Sequence, residues 1–235
     1  MLRILHFKND FKQIMRDPIM AILMVAPLLL IFMLKLMVVF LMPLLLKHLG
    51  FDLTPYLHLV YVFVVMMCGA ILGIVNGFMM IDDRDGKIAE LMSVTPLGRS
   101  GYLFNRLLFA AVLTIFYAVL SYYVLNVVEL PLLTMLFVSL LAANYSIIIG
   151  LLIFTFADDK VKGLTFAKAI NSLSLFAFAD LLALRWLTIL SWFFPPYWIT
   201  MVVQSPNSLS VYGWALLVNV LWLTILIRHY WKRES

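Results

Sequence analysis

Long apolar runs separated by short polar intervals limit what this chain can fold into. The first run starts at Pro18 and lasts about thirty residues, well beyond the ~7–15 of a signal-peptide core, with Lys35 as its one charge before Lys47. Because 65% of the 235 residues are hydrophobic and 12% are charged, the chain carries more apolar surface than one soluble core could bury. We therefore predict a protein that resides in a bilayer.

Six apolar runs are predicted to cross the membrane as helices, which gives an all-α membrane protein with one transmembrane domain, residues 18–235. The fifth run is the weakest, because polar side chains interrupt it. The spans are expected from Pro18 to the residue before Lys47, over Leu59–Ile81, Leu107–Val128 and Pro131–Phe156, from Leu164 onward, and over Tyr212–Ile227.

Two further segments are expected at the membrane surface. Residues 1–17 place apolar side chains on one helical face and charged side chains on the other, which predicts an amphipathic helix that lies flat in the interface. Residues 186–210 contain Pro195-Pro196 within an aromatic cluster. Adjacent prolines break a regular span, and aromatic residues favour the headgroup level, so we predict a re-entrant or outer-surface helical hairpin.

Small and polar residues inside the spans are candidates for helix packing and for a route across the membrane. Gly69, Gly73 and Gly77 form a stripe at four-residue spacing that would let a helix of the same chain or of a second subunit approach closely. Polar residues in hydrocarbon are costly and need a partner or water. The polar residues that are candidates to line a cavity are Lys35, Asn144, Asn171, Asp180 and Arg185.

Asp180 and Lys35 allow several interpretations. Lys35 either extends its ammonium to the outer headgroups or faces a translocation cavity. Lys35 and Asp180 are expected at similar depth and could form an ion pair, and Asp180 could instead pair with Arg185. Either a structural ion pair or a substrate contact would explain a carboxylate at this depth.

The interval 82–100 is the longest polar segment between two apolar runs and the candidate surface for a soluble partner. Gly86 can start a short helix in which Ile88, Leu91 and Met92 form one apolar stripe, and Pro96 should end that helix. Such a helix lies on the membrane surface or against a partner, whereas the alternative is a solvated loop.

Basic residues indicate the orientation. With the N-terminus inside, only Lys35, Lys47 and Arg185 of the 17 basic residues lie outside the cytoplasmic segments. Cytoplasmic loops carry such an excess of Lys and Arg, so six spans are favoured over seven. We expect a multi-pass protein of the cell (inner) membrane with both termini in the cytoplasm.

No catalytic motif stands out. The sequence contains no G-x-x-x-x-G-K-[ST], no G-x-S-x-G and no H-E-x-x-H, and its histidines lack metal-ligand spacing. Basic residues are spread over several short segments, which argues against a nucleic-acid partner. We therefore expect no enzyme and no bound metal. Two alternatives remain open, a membrane-embedded phosphotransferase built on Asp82, Asp83 and Asp85, and a membrane scaffold without transport.

Three features together resemble the permease subunits of ABC-2 type exporters. They are the N-terminal helix that ends in Arg16-Asp17-Pro18, the segment from Asp85 to Leu97 and the proline-aromatic hairpin before the last span. In that family the middle segment carries an acidic residue, a glycine, a hydrophobic-Glu-hydrophobic stretch and Thr-Pro-Leu. The likeness covers essentially the whole chain, and residues 158–168 further look like small drug-export permeases of the fluoroquinolone type.

The resemblance implies a half-transporter that forms a dimer with a second permease, identical or not, in the lipid membrane. It further implies a separate ATP-binding subunit that uses ATP and Mg, while this chain binds no cofactor. The cargo would be an amphipathic drug, peptide or lipid, and the N-terminal helix would be a second contact with the ATPase. The coupling residues would be Asp85, Gly86, Ile88, Glu90, Leu91, Met92, Thr95 and Pro96.

Overall fold

The computed structural model describes residues 4–50, 52–88, 91 and 98–234, and within these ranges every regular element is helical. The predicted all-α fold is confirmed. The α-helices are α1 (Ile4–Arg16), α2 (Pro18–Leu36), α3 (Met42–Leu49), α4 (Leu57–Asp85), α5 (Gly98–Leu125), α6 (Leu132–Phe156), α7 (Lys160–Asn171), α8 (Arg185–Ser191), α9 (Pro195–Gln204) and α10 (Leu209–Glu234). A π-helical turn, Met37–Leu41, joins α2 to α3. The 3-10 segment Thr54–Tyr56 precedes α4, and the 3-10 segment Ser172–Leu182 extends α7.

Among the described residues, six helical stretches are long and apolar enough to cross a membrane, as predicted. The short helices α8 and α9 meet at an angle of 105°, which is the hairpin expected before the last span. The six stretches are Pro18–Leu49, Thr54–Asp85, Ser100–Leu125, Leu132–Phe156, Lys160–Leu182 and Leu209–Lys232.

Several helices extend further into polar sequence than the apolar runs predicted. α5 begins at Gly98 rather than near Leu107, α7 begins at Lys160 rather than at Leu164, and α10 runs through the basic tail to Glu234. Hydropathy locates only the apolar part of a span. A helix continues beyond it where polar side chains reach water or a partner.

Capping side chains determine where two of the spans begin. Asp17 Oδ1 accepts hydrogen bonds from the main-chain N–H groups of Ile19 at 2.9 Å and Met20 at 3.3 Å, at the start of α2. Pro18 occupies the first turn, where a missing N–H costs nothing. Asp159 caps α7 in the same way, through the Lys162 N–H at 2.8 Å.

α4 and α6 form the centre of the bundle. In their most apolar stretches 67% and 72% of the residues are buried, against 11% in the first span and 22% in the last. A membrane helix can leave apolar side chains exposed, because lipid tails are as apolar as the side chains themselves. The bundle therefore has a packed centre with the first and last spans at its edge.

The glycine stripe Gly69, Gly73 and Gly77 of α4 lies directly against α6. A Cβ added at Gly73 would meet the carbonyl oxygen of Ser146 at 2.6 Å and the Cβ of Ile149 at 2.7 Å. The sequence did not decide whether the helix packed on this stripe belongs to the same chain or to a second subunit, and in this structure it belongs to the same chain. Because the glycines have no side chains, the two helix backbones approach closely.

We expect Gly73→Ala to destabilise the purified protein by about 1–3 kcal/mol, because the Ser146 carbonyl cannot move aside without shifting α6. The matched control is Gly213→Ala in α10, where an added Cβ meets nothing within 4 Å. Alanine has the higher helix propensity, so this control should keep or raise the melting temperature. Thermal unfolding in detergent micelles measures both, and equal melting temperatures for Gly73→Ala and the parent would contradict the close packing.

Candidate functional site

The last turn of α4 directs three consecutive side chains to three different parts of the bundle. Asp82 contacts the start of α7, Asp83 contacts α5, and Arg84 contacts the end of α6. The helix ends that meet here carry most of the buried and half-buried charges of the described residues. We call this region the charged end and define it by Asp10, Asp17, Asp82, Asp83, Arg84, Arg106 and Lys160.

Asp83 and Arg106 form a buried ion pair. The Asp83 side chain is 0% exposed, and its Oδ2 lies 2.6 Å from Arg106 Nε and 2.5 Å from Nη2. The Tyr102 hydroxyl donates to the same oxygen at 2.6 Å. A carboxylate at the C-terminal end of a helix faces the negative end of the helix dipole, and its burial costs hydration. Arg106 offsets both effects and ties α4 to α5.

The same guanidinium reaches α1. Arg106 Nη1 lies 2.6 Å from Asp10 Oδ1, and Nη2 donates to Gln13 Oε1 at 2.9 Å. Arginine can do this because its planar head carries five N–H donors in a fixed geometry. One side chain therefore joins α1, α4 and α5.

Lys160 forms the second junction of the charged end. Its Nζ lies 2.5 Å from Asp17 Oδ2 and 2.8 Å from Asp82 Oδ1, which connects the start of α2, the end of α4 and the start of α7. The hydrogen bond from Lys160 lowers the pKa of Asp17 below its ordinary value. The stability that this contact provides is complete above the ordinary pKa of an aspartate and is lost as the pH falls through the lowered value.

Arg84 caps the C-terminus of α6. Its Nη2 donates to the carbonyl oxygens of Ala157 at 3.0 Å and Asp158 at 2.7 Å. The guanidinium also lies over the ring of Phe154, 5.1 Å from its centroid. Carbonyls at a helix end lack partners within the helix, so a basic side chain stabilises the helix there.

The chain leaves the charged end through an exposed turn. Asp85 ends α4, and Gly86 and Lys87 follow in a turn in which Lys87 has a left-handed φ of 52°. The Leu91 N–H donates to the Lys87 carbonyl at 3.1 Å, as in an α-helix, and the Leu91 side chain is 64% exposed, whereas Ile88 is half-buried. The other predicted coupling residues, Glu90, Met92, Thr95 and Pro96, lie outside the described residues.

The structure divides the interval 82–100, which the sequence presented as one surface for a partner. α4 continues to Asp85, and its last turn is surrounded by other helices, so Asp82, Asp83 and Arg84 bond to the bundle itself. Asp85 and Leu91 are exposed. The fully exposed part of the interval therefore begins at Asp85.

Neither ion pair considered for Asp180 is formed among the described residues. Lys35 Nζ instead donates at 2.8 Å to the last carbonyl of α5, where a cation satisfies an unpaired acceptor. Asp180 accepts hydrogen bonds from the hydroxyls of Thr188 at 3.0 Å and Tyr197 at 3.3 Å. Arg185 is exposed at the start of α8. Similar depth did not bring these charges together, because depth leaves the rotation of each helix undetermined.

The intramembrane amides have different surroundings. Asn144 is half-buried in α6, and Asn171 ends α7 with its side-chain oxygen buried. Asn76 lies buried between α4 and α6, where its Nδ2 would be 2.9 Å from a Cβ added at Gly150. Among the described residues, Asn171 Oδ1 and both polar side-chain atoms of Asn76 have no hydrogen-bond partner.

The contacts of the charged end were not predicted. Arg106 and Lys160 were recognised only as basic residues of the cytoplasmic segments, and Tyr102 was not singled out. A signal was present, since residues four apart, such as Tyr102 and Arg106, share one helical face. In the described part of the chain, no group of three or more His, Cys, Asp or Glu side chains could hold a metal ion.

We expect Arg106→Gln to destabilise the protein by about 3–5 kcal/mol, because it leaves the Asp83 carboxylate buried without a cation. The control is Lys162→Gln, which removes an exposed ion pair with Asp158 and should leave the melting temperature unchanged. Thermal unfolding followed by circular dichroism measures both variants. A partial recovery in Asp83→Asn/Arg106→Gln would confirm that the unpaired charge is the cause, whereas a parental melting temperature for Arg106→Gln would contradict the account.

Comparison with known proteins agrees with the resemblance found in the sequence. Residues 10–230 match the family model described as fluoroquinolones export permease protein Rv2686c-like. Two relatives are each 27% identical to this chain over 198 residues, which is 81% of this chain and 77% of each relative. They are the fluoroquinolones export permease protein Rv2686c of Mycobacterium tuberculosis strain ATCC 25618 / H37Rv and the fluoroquinolones export permease protein MT2760 of strain CDC 1551 / Oshkosh. No solved structure matches the chain. Since the family match extends over nearly its whole length, this multi-pass membrane chain belongs to the Rv2686c-like family of fluoroquinolones export permeases.

Proposed function

We propose that this chain is the permease subunit of an ABC-2 type exporter. It forms the route across the membrane with a second permease, identical or different, and takes its energy from a separate ATPase that uses ATP and Mg²⁺. The permease names of the relatives support a role in transport. The segment from Asp85 and the N-terminal helix α1 are the proposed contacts with the ATPase.

The observation that carries this proposal is that Arg106 of α5 bonds to both α1 and α4 and so joins three helices. An ATPase that closes on ATP must act on a rigid element at the membrane edge, because a mobile element would absorb the movement. α1 and the end of α4 are held to the bundle through buried, charge-assisted hydrogen bonds, which are stronger than bonds between neutral groups. A displacement applied at the charged end therefore moves α4 and α5 with it.

A groove of about 760 Å³ beside α1 supports docking at this end. It combines basic and acidic side chains and lies next to the exposed turn at Gly86. Asp17 and Asp82 are paired with Lys160, whereas the exposed Lys12 and Arg16 offer charges that fix the orientation of a partner. The groove is lined by Lys12, Gln13, Arg16, Asp17, Pro18, Ile19 and Asp82.

We further propose that the charged end faces the cytoplasm, in the cell (inner) membrane, with both termini on that side. The excess of Lys and Arg in the segments that meet there supports this orientation. A cytoplasmic charged end is also the condition for contact with a soluble ATPase.

The proposed cargo is an amphipathic drug, with a peptide or lipid as alternatives. The two relatives are named for the export of fluoroquinolones, which makes this class the first to test. An apolar groove of about 650 Å³ beside the hairpin suits a molecule with rings. Its lining includes Trp192, Phe193, Tyr197, Trp198 and Trp214.

We expect Leu91→Asp to abolish co-purification with the ABC ATPase subunit when the two are co-expressed, because it places a charge on an exposed apolar contact. The matched control is Leu209→Asp, an exposed leucine at the start of α10. Membrane insertion of both variants, assayed by sodium carbonate extraction, should equal that of the parent. ATPase recruitment by Leu91→Asp at the parental level would contradict the coupling assignment.

The same experiment discriminates the two other functional classes. A membrane-embedded phosphotransferase would be active without any ATPase and would lose activity on Asp82→Ala or Asp85→Ala. A membrane scaffold would retain its partners but would not increase drug efflux. Co-purification of the ATPase, together with ATP-dependent efflux that Leu91→Asp removes, is expected only of the exporter.

A further inference from the structure

A cavity of about 200 Å³ lies at the end of the bundle opposite the charged end. It opens to the surface and is bordered by the start of α4, the 3-10 segment Ser172–Leu182 and α9. Two of its polar groups bond to each other, since Gln204 Nε2 lies 3.0 Å from His58 Nε2. Thr200 is also engaged, because its hydroxyl donates to the Ala177 carbonyl at 2.7 Å. The polar and aromatic lining consists of Tyr56, His58, Phe178, Asp180, Thr200 and Gln204.

Asp180 determines the charge of this cavity. Its carboxylate accepts hydrogen bonds from two neutral hydroxyls, those of Thr188 in α8 and Tyr197 in α9. Within the described ranges it takes part in no ion pair. The Asp180 side chain is exposed, so a cation can reach it directly. A carboxylate at a protein surface attracts a cation more strongly than one in open water, because the effective dielectric constant is lower there.

The structural role of Asp180 does not require its charge. The two hydrogen bonds tie the hairpin to the fifth span. An asparagine could make both, because its side-chain oxygen accepts from one hydroxyl and its NH2 group donates to the oxygen of the other. A carboxylate is the more costly choice at a membrane position. The negative charge is therefore unused by the contacts that this chain makes with Asp180.

Two aromatic rings in the same lining complement that charge. Tyr56 and Phe178 both border the cavity, and the face of an aromatic ring attracts an organic cation. A carboxylate beside aromatic rings is a combination that binds organic ammonium groups, from primary to quaternary. The volume suits one ammonium group with a small ring attached.

We propose that this cavity binds the ammonium group of an amphipathic organic cation, with Asp180 as the counter-charge and Tyr56 and Phe178 as aromatic walls. The ammonium belongs either to a transported molecule or to the headgroup of a lipid such as phosphatidylethanolamine. Both sources present the same chemistry to the cavity. A role of the site in transport rests on the proposed function, whereas the binding itself does not.

The test measures binding of benzyltrimethylammonium to the purified full chain in nanodiscs of phosphatidylglycerol, a lipid without an amine. Isothermal titration calorimetry gives the affinity, and empty nanodiscs give the background. Saturable binding with one site per chain is the expected result. Absence of saturable binding above the background would overturn the proposal.

Three variants locate the site. Asp180→Asn removes the charge but can still bond to both hydroxyls, as acceptor to one and donor to the other, and His58→Lys places a competing ammonium in the cavity. Each should weaken probe binding by about tenfold or more. Glu129→Gln removes an exposed charge from the loop between α5 and α6 and should bind as the parent does. Parental affinity in Asp180→Asn, with a parental melting temperature, would overturn the assignment.

Two further measurements distinguish a lipid headgroup from a soluble or transported cation, and this binding site from the proposed exporter function. If phosphatidylethanolamine in the nanodiscs weakens probe binding in the parent, the lipid headgroup is the natural occupant, and if it does not, a soluble or transported cation is. Asp180→Asn should recruit the ABC ATPase as the parent does. Intact probe binding in a chain that recruits no ATPase would contradict the proposed function and leave this site standing.

Discussion

The buried ion pair between Asp83 and Arg106 is the contact on which the arrangement of this molecule depends. Burying a carboxylate at the C-terminal end of α4 is unfavourable, because it loses water and faces the negative end of a helix dipole. Arg106 offsets this cost at 2.5 Å and uses its remaining donors to hold α1 through Asp10 and Gln13. That one guanidinium therefore ties α1 to the turn where the chain emerges after Asp85.

α4 connects the two regions to which we assign a function. Its 29 residues begin beside the cavity that contains Asp180 and end in the charged end. Along its length the glycine stripe holds it against α6, so the helix cannot easily move alone. Packed interfaces of this kind transmit small displacements over long distances, because they shift as units rather than deform gradually. A movement at the charged end therefore has a physical connection to the opposite side of the bundle.

The elements of the fold could be predicted from the sequence, whereas the contacts of the charged end could not. Hydropathy located six spans, and Pro195-Pro196 located the hairpin, because both signals are local in the chain. The contact between Asp10 and Arg106 joins residues 96 positions apart, and no local pattern records it. The prediction for Lys35 was wrong for this reason. Its expected depth suggested an ion pair with Asp180, whereas the rotation of its helix directs the side chain to the last carbonyl of α5.

The central claim is that the charged end faces the cytoplasm, where an ATPase can reach it. In a Cys68→Ser background, whose removed thiol is buried, single cysteines introduced as Asp85→Cys and Glu129→Cys report the two ends of the bundle. A membrane-impermeant maleimide should label Asp85→Cys only in inverted vesicles and Glu129→Cys only in intact cells. Labelling of Asp85→Cys in intact cells would place the charged end outside the cell and would contradict the account.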